Sequence, residues 1–388
     1  MSFYRVFIPD GARCCQRHLS NVEEWTNIPV KDDPLTSEEY EQALTLTLMQ
    51  VREHGKISLP ALNPDNDDRI KQFTSLSSTS YLNLQSHLSS RLHRYLGPYL
   101  FRLRTGLSIH DMGMLSGIPD TTLSTKMESI RAELEINFVP RNLGYRAITR
   151  EQAREHLTPQ SRAFFSLQNE SSLQSIWDGT YIFIQKSTNN EFQRVTYSGQ
   201  KKAPLYKPMM GVLPDGYILD IIPKFPATSN DAKILRDLNS ESSGFQNFFQ
   251  PGDCFILDRG FRDVVQAMRS RGYEAHHPAF LRRELANPRN TTQLSARQAN
   301  ASRKITKPRQ VVERVFGRIK MTFRMFHHVI DNKYIENSQR DLKICAAIIN
   351  KYHQRFHYDR DNEDLIIQSA NRESGLATCV WVFCGLVS

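Results

Sequence analysis

Long apolar runs are missing from this 388-residue chain. No window reaches the roughly 18 consecutive apolar residues of a membrane span, so none is expected. A signal peptide is not expected either, because Arg5, Asp10 and Arg13 interrupt any apolar stretch near the start. Cysteine is sparse and unpatterned: Cys14, Cys15, Cys254, Cys345, Cys379 and Cys384 show no framework spacing. That argues against a disulfide-stapled secreted scaffold and for a reducing compartment. Cys14-Cys15 with His18 would make half of a Cys/His zinc set, but zinc takes four ligands and no partner pair lies nearby.

Acidic residues are scarce in one stretch. Between Arg282 and Arg324 stand twelve Lys/Arg against only Glu284 and Glu313, a local excess of +10 where the whole chain carries +9. The remainder is therefore close to neutral. A field of that kind attracts a polyanion, with counterion release from phosphates supplying binding energy. Arg303, Lys304, Arg309 and Lys320 are the cations of this stretch expected to meet DNA. A solvated basic face is the bland alternative.

What is present is an ordinary 39% of hydrophobic residues, distributed in two textures. Residues 1–75 form an irregular N-terminal region with one helix, and residues 76–140 read as helical. There Ser108 is a good N-cap with Asp111 three residues on, and Gly117 stops the helix. Thr121 or Thr122 then caps a second helix running to about Leu134. Two short helices joined by a Gly-containing turn predict a small all-α helix-turn-helix domain, with Lys126 and Arg131 of the second helix facing the major groove. Residues 141–170 connect to an α/β domain at 171–357, and 358–388 form a tail. In the α/β part, strands are expected over Ile176 to Ile184, Arg194 to Tyr197, Tyr206 to Leu213, Tyr217 to Ile222, Cys254 to Leu257 and Tyr273 to His277. Residues from Ser295 onward are helical, with a long helix from about Pro308 to Phe326.

Three carboxylates stand where a metal site could assemble. Asp178 follows Ile176-Trp177, Asp258 ends the run Phe255-Ile256-Leu257, and Glu313 lies on the basic helix. Phosphodiester cleavage needs charge stabilised on both the attacking and the leaving oxygen, and two Mg²⁺ or Mn²⁺ ions held by carboxylate oxygen meet that need. At 100° per residue Val312, Val315, Phe316, Ile319 and Phe323 share one stripe, with Arg309, Glu313 and Lys320 on the adjacent one. Glu313 thus belongs at the edge of a buried face. The bland readings are an i,i+4 pair with Arg309 and two turn-capping aspartates.

The motifs Trp177-Asp178-Gly179-Thr180, Tyr197-Ser198-Gly199-Gln200-Lys201-Lys202, Gly211-Val212-Leu213-Pro214-Asp215-Gly216, Ser229-Asn230-Asp231-Ala232, Leu257-Asp258-Arg259-Gly260-Phe261 and Val312-Glu313-Arg314-Val315-Phe316-Gly317 occur in that order. Together they resemble the DDE superfamily endonucleases related to Harbinger-type transposases. The resemblance implies a ribonuclease-H-like mixed sheet with flanking helices, and two divalent ions on Asp178, Asp258 and Glu313. It also implies Asp231 behind them and Lys201, Lys202 and Arg259 toward DNA. DNA is the expected partner, with a second copy of the chain and an accessory DNA-binding protein beside it, in the nucleus. The rival expectation is a host-adopted DNA-binding protein that keeps the fold and cleaves nothing.

Overall fold

The computed structural model describes residues 67–164, 171–228, 244–278 and 296–356. Cys14, Cys15, His18, Asp231, the helix expected from Ser229 and the C-terminal tail lie outside the described residues. Among the described residues seven strands form one sheet: β1 (Gln174–Gly179), β2 (Ile182–Phe183), β3 (Tyr197–Ser198), β4 (Ala203–Val212), β5 (Ile218–Pro226), β6 (Cys254–Leu257) and β7 (Glu274–His276). β4 lies antiparallel to both β1 and β5, while β1, β6 and β7 run parallel in that order. The spatial order β5-β4-β1-β6-β7 puts β1 at the centre. The fold is therefore a mixed α/β sheet with flanking helices, as expected.

Period-2 alternation divides the sheet's side chains between two cores. Ile176, Met210, Val212 and Ile256 face one cluster, and Trp177, Met209, Leu213, Phe255 and Leu257 face the other. The second cluster is aromatic, with Phe245 stacked on Phe255 and tilted against Trp177. Trp177 lies directly opposite Gly211 in the β1–β4 ladder. A Cβ at Gly211 would stand 2.6 Å from Trp177 Cη2, so the indole occupies the space that any larger residue would need. Gly211→Ala is expected to destabilise the fold by about 1–3 kcal/mol through overpacking. Urea denaturation checks this; an unchanged midpoint would mean that the ring moves aside freely.

On the first face lie α8 (Ala296–Thr322) and α9 (Ile335–Tyr352). Before the sheet come α1 (Asp67–Thr74), α2 (Ser78–Gln85), α3 (His93–Thr105), α4 (Ile109–Ser116), α5 (Asp120–Asn137) and α6 (Arg150–Glu155), with α7 (Arg262–Arg269) between β6 and β7. The cap of α4 is as expected: Ser108 accepts from Asp111 N, the Asp111 carboxylate returns to Ser108 N, and Gly117 closes the helix at φ +66°, where a side chain is disfavoured.

Several expectations are corrected. Residues 76–140 are not helical throughout, because the chain turns between α2 and α3, where Glu133 of α5 accepts from Ser89 N and Ser89 Oγ at 2.6 and 2.8 Å. Arg194 is helical, since Asn189 Oδ1 accepts from Glu191 N and Phe192 N and so caps a helix over Asn190–Thr196. The helix α5 begins at Asp120 without a threonine cap, whereas α8 begins at Ala296, as expected for residues from Ser295 onward, and runs through Pro308 as one helix.

The helices before residue 140 do not have a core of their own. One continuous apolar cluster runs from Ile70, Leu96, Leu123 and Met127 through Ile176 and Ile256 to Val312 and Ile349. The boundary expected near 140 is thus not a boundary between cores. Polar contacts seal the same junction. Asp341 of α9, fully buried, accepts from Arg131 Nε at 2.7 Å, Tyr99 Oη at 2.6 Å and Tyr334 Oη at 2.5 Å.

Candidate active site

β1 and β6 lie side by side in parallel, with Ile176 opposite Ile256 and Trp177 opposite Leu257. Asp178 and Asp258 follow these pairs by one residue. Two residues beyond each isoleucine, they fall by alternation on the same side as α8, at the carboxyl ends of strands about 4.8 Å apart. α8 lays Val312, Val315, Phe316 and Ile319 against that side, with Phe323 just past its end, all buried. Glu313 stands at the margin of this stripe with its side chain 54% exposed, and Asp258 is 37% exposed.

Arg309, one helical turn before Glu313, joins the acids. Its Nη1 donates to Asp258 Oδ1, and its Nη2 donates to Glu313 Oε1 at 2.5 Å. Burial works against the guanidinium charge. The Glu313 hydrogen bond and the negative charges of Asp178, Asp258 and Glu313 outweigh it, so the pKa of Arg309 is raised. Acids from β1, β6 and α8 therefore act on a single cation. Both readings of the Arg309–Glu313 spacing hold at once, because the i,i+4 pair exists and Asp258 shares it.

Lys320, two further turns along α8, sends Nζ to Thr180 Oγ1 at 3.1 Å and to Tyr181 O at 2.9 Å. Burial lowers its pKa. Lys320, expected among the DNA-facing cations, braces the segment that follows Asp178. Arg309, also expected to meet DNA, has Nη1 and Nη2 engaged by carboxylates. Gly179 N fixes Asp178 Oδ1 at 2.8 Å.

The other expected cations divide. Arg259, Lys201 and Lys202 are exposed near the acids' end of the sheet, and Lys201 Nζ sits 4.9 Å above the Tyr181 ring. Arg303 and Lys304 lie on α8. Lys126 is half-buried, 5.8 Å from the Tyr95 ring. Arg131, expected to face DNA, points into the interior. It is 2% exposed and engaged by Asp341, with Glu128 and Tyr334 also bound. The signal was available, because Arg131 falls on the stripe of Leu123, Met127, Ile130 and Leu134 that faces the interior. The outward face of α5 carries Thr121, Ser124, Thr125 and Glu128 instead.

Asp178 is half-buried, and Asp258 and Glu313 keep 37% and 54% of their side chains exposed. The donor set is all oxygen, which suits Mg²⁺ or Mn²⁺ rather than a thiophilic metal. No helix among the described residues is long and apolar enough to cross a membrane. No curated protein matches the chain. Residues 177–350, the span that carries all three carboxylates together with Arg309 and Lys320, match the family model of the DDE superfamily endonucleases.

Proposed function

We propose that the chain is a divalent-metal-dependent DNA endonuclease of the transposase type, related to the Harbinger group, with Asp178, Asp258 and Glu313 as its metal ligands. Arg309 joining Asp258 to Glu313, with Asp178 on the neighbouring parallel strand beside Asp258, carries the reading. The strand order β5-β4-β1-β6-β7, antiparallel on one side of β1 and parallel on the other, supports a ribonuclease-H-like sheet. When bound, a pair of Mg²⁺ or Mn²⁺ ions would supply charge neutralisation at the attacking and leaving oxygens of a phosphodiester.

The chain's own groups do the rest. Asp178 is held in place by Gly179 N, and Lys320 fixes the backbone just beyond it. Arg309 compensates the like charges of the three acids before metal enters, which keeps ligands of one sign from pushing each other apart. It must swing clear of Asp258 or Glu313 to free their oxygens. Arg259, Lys201 and Lys202, exposed at the same end of the sheet, are suited to steer the phosphate backbone inward. DNA as substrate implies work in the nucleus and, for joining two ends, a second copy of the chain. A role for α4 and α5 in reading DNA would fall to Ser124, Thr125 and Lys126.

The second reading, a host-adopted DNA-binding protein without activity, is favoured by one observation: Arg309 fills the space between Asp258 and Glu313 with positive charge. Labelled duplex DNA separates the two. Nicking that appears with Mn²⁺ and vanishes on chelation is the expected result. Binding that weakens steeply with salt, but yields no nick with Mg²⁺ or Mn²⁺, would leave only the second reading.

A further inference from the structure

The parallel strands that carry the two aspartates bring a different set of side chains together at their opposite ends. In the ladder Gln174 lies opposite Cys254, and Cys254 lies opposite Glu274. His276 is two residues along from Glu274, so alternation returns it to the same side of the sheet. The donor atoms of Cys254, Glu274 and His276 all lie within 4.8 Å of one another. Glu274 and His276 approach to 3.6 Å.

A Glu–His pair alone would need neither a thiol nor an amide beside it. Both are there. Gln174 is fully buried, and its amide Nε2 reaches to 4.0 Å from Cys254 Sγ. Its carbonyl Oε1 is buried and has no hydrogen-bond partner. A buried acceptor left unsatisfied costs about 1–3 kcal/mol. A half-turn of the amide would carry that oxygen to the thiol side and give it a cation to bind.

We infer that Cys254, Glu274 and His276, with the Gln174 carbonyl or a water as fourth donor, form a second metal site that takes a zinc-class cation. Sulfur, imidazole, carboxylate and amide oxygen make a mixed soft and borderline donor set. That set discriminates against Mg²⁺ and in favour of Zn²⁺ or Co²⁺, the reverse of the all-carboxylate end of the same strands. Tetrahedral zinc holds its donors about 3.3–3.8 Å apart, so the cluster would need to contract by about an ångström. Glu274 and His276 can supply the movement, because they sit on β7, which ends the sheet order, and keep 23% and 35% of their side chains exposed. The same exposure gives an ion a way in. The cluster sits toward the other end of the strands from the acids: Cys254 precedes Asp258 by four residues, about 13 Å of strand, and His276, opposite Ile256, is its member nearest Asp258. A bound ion would pin the three-residue strand β7 to β6 and steady the strand that ends at Asp258.

Cobalt is the probe, because sulfur ligation gives a thiolate-to-Co²⁺ charge-transfer band in the near ultraviolet that carboxylates cannot produce. The full chain, stripped with chelator and titrated with Co²⁺, is expected to develop this band with one equivalent. It should lose the band to Zn²⁺ but keep it in millimolar Mg²⁺. Cys254→Ser should abolish the band, and the half-exposed His276→Gln, which disturbs the core less, should weaken Co²⁺ binding at least tenfold. Asp258→Asn and a Cys14→Ser/Cys15→Ser double variant should retain both. A band that survives in both Cys254→Ser and His276→Gln, that disappears in the Cys14/Cys15 variant, or that never forms would overturn the assignment. Since Asp258→Asn is silent here, failure of this site says nothing against the carboxylate one, and the reverse holds too.

Discussion

Asp258→Asn is expected to lower Mn²⁺-dependent nicking at least about 10³-fold, some 4 kcal/mol of transition-state stabilisation, while leaving DNA affinity within twofold. Asp178→Asn and Glu313→Gln should do the same. The argument rests on charge. Three carboxylates can hold two divalent ions and still leave a net positive, electrophilic site. Removing one ligand charge loosens the ions and disturbs the geometry that both reacting oxygens need. On the proposed reading DNA affinity is expected to come from elsewhere, from exposed cations such as Arg259, Lys201 and Lys202, whose contribution would be read in the salt dependence. A corollary separates this from mere loss of fold. In the metal-free protein the acids outnumber Arg309, so neutralising one relieves like-charge repulsion. Half-exposed charges are worth little, so the free energy of unfolding should change by less than about 1 kcal/mol in either direction. An Asp258→Asn protein that nicks at the parent rate, or whose nicking and DNA binding fall in parallel, would defeat the metal-ligand assignment.

The legibility of this site in the sequence has a physical basis. Short apolar runs closed by an aspartate, Ile176-Trp177-Asp178 and Phe255-Ile256-Leu257-Asp258, show strand and strand end together, because alternation and burial are local properties. The face of Glu313 follows from the 3.6-residue period of α8, and Val312, Val315, Phe316, Ile319 and Phe323 are all buried as that period requires. Partner choice is not local, and there the sequence misleads. Arg131 suggests a phosphate contact by its charge, yet its partner Asp341 lies 210 residues away. Lys320 meets the backbone 139 residues before it. The Cys254, Glu274 and His276 cluster depends on β6 and β7 pairing in parallel, which neither strand announces. The interleaving of α3, α5 and α9 into one core depends on the same kind of long-range contact, which is why residues 76–140 read as a separate domain.

That shared core gives the second large effect. Asp341→Ala should destabilise the protein by about 3–5 kcal/mol, the loss expected when one partner of a buried ion pair is removed and the other charge stays behind. Arg131 would be left 2% exposed, with only Glu128 and the Tyr334 hydroxyl to answer it. The hydroxyls of Tyr99 and Tyr334 would lose their acceptor as well. In the intact protein, burial and then the Asp341 charge hold the Tyr99 hydroxyl firmly protonated, its pKa far above the usual range, so it can only donate to this carboxylate. The charge is thus needed where it is, although not for stability as such. A double replacement, Arg131→Met with Asp341→Leu, removes both charges and should recover most of the loss, since apolar residues of similar size often do as well as a buried pair. Urea denaturation followed by tryptophan fluorescence and by circular dichroism tests the point. The two probes should give one coincident transition in the parent chain, because Ile70 and Ile349 belong to one cluster. A loss below about 1 kcal/mol in Asp341→Ala, or two separate transitions in the parent, would mean that α3 and α5 fold as an independent unit after all. The helices ahead of the sheet could then reach for DNA on their own.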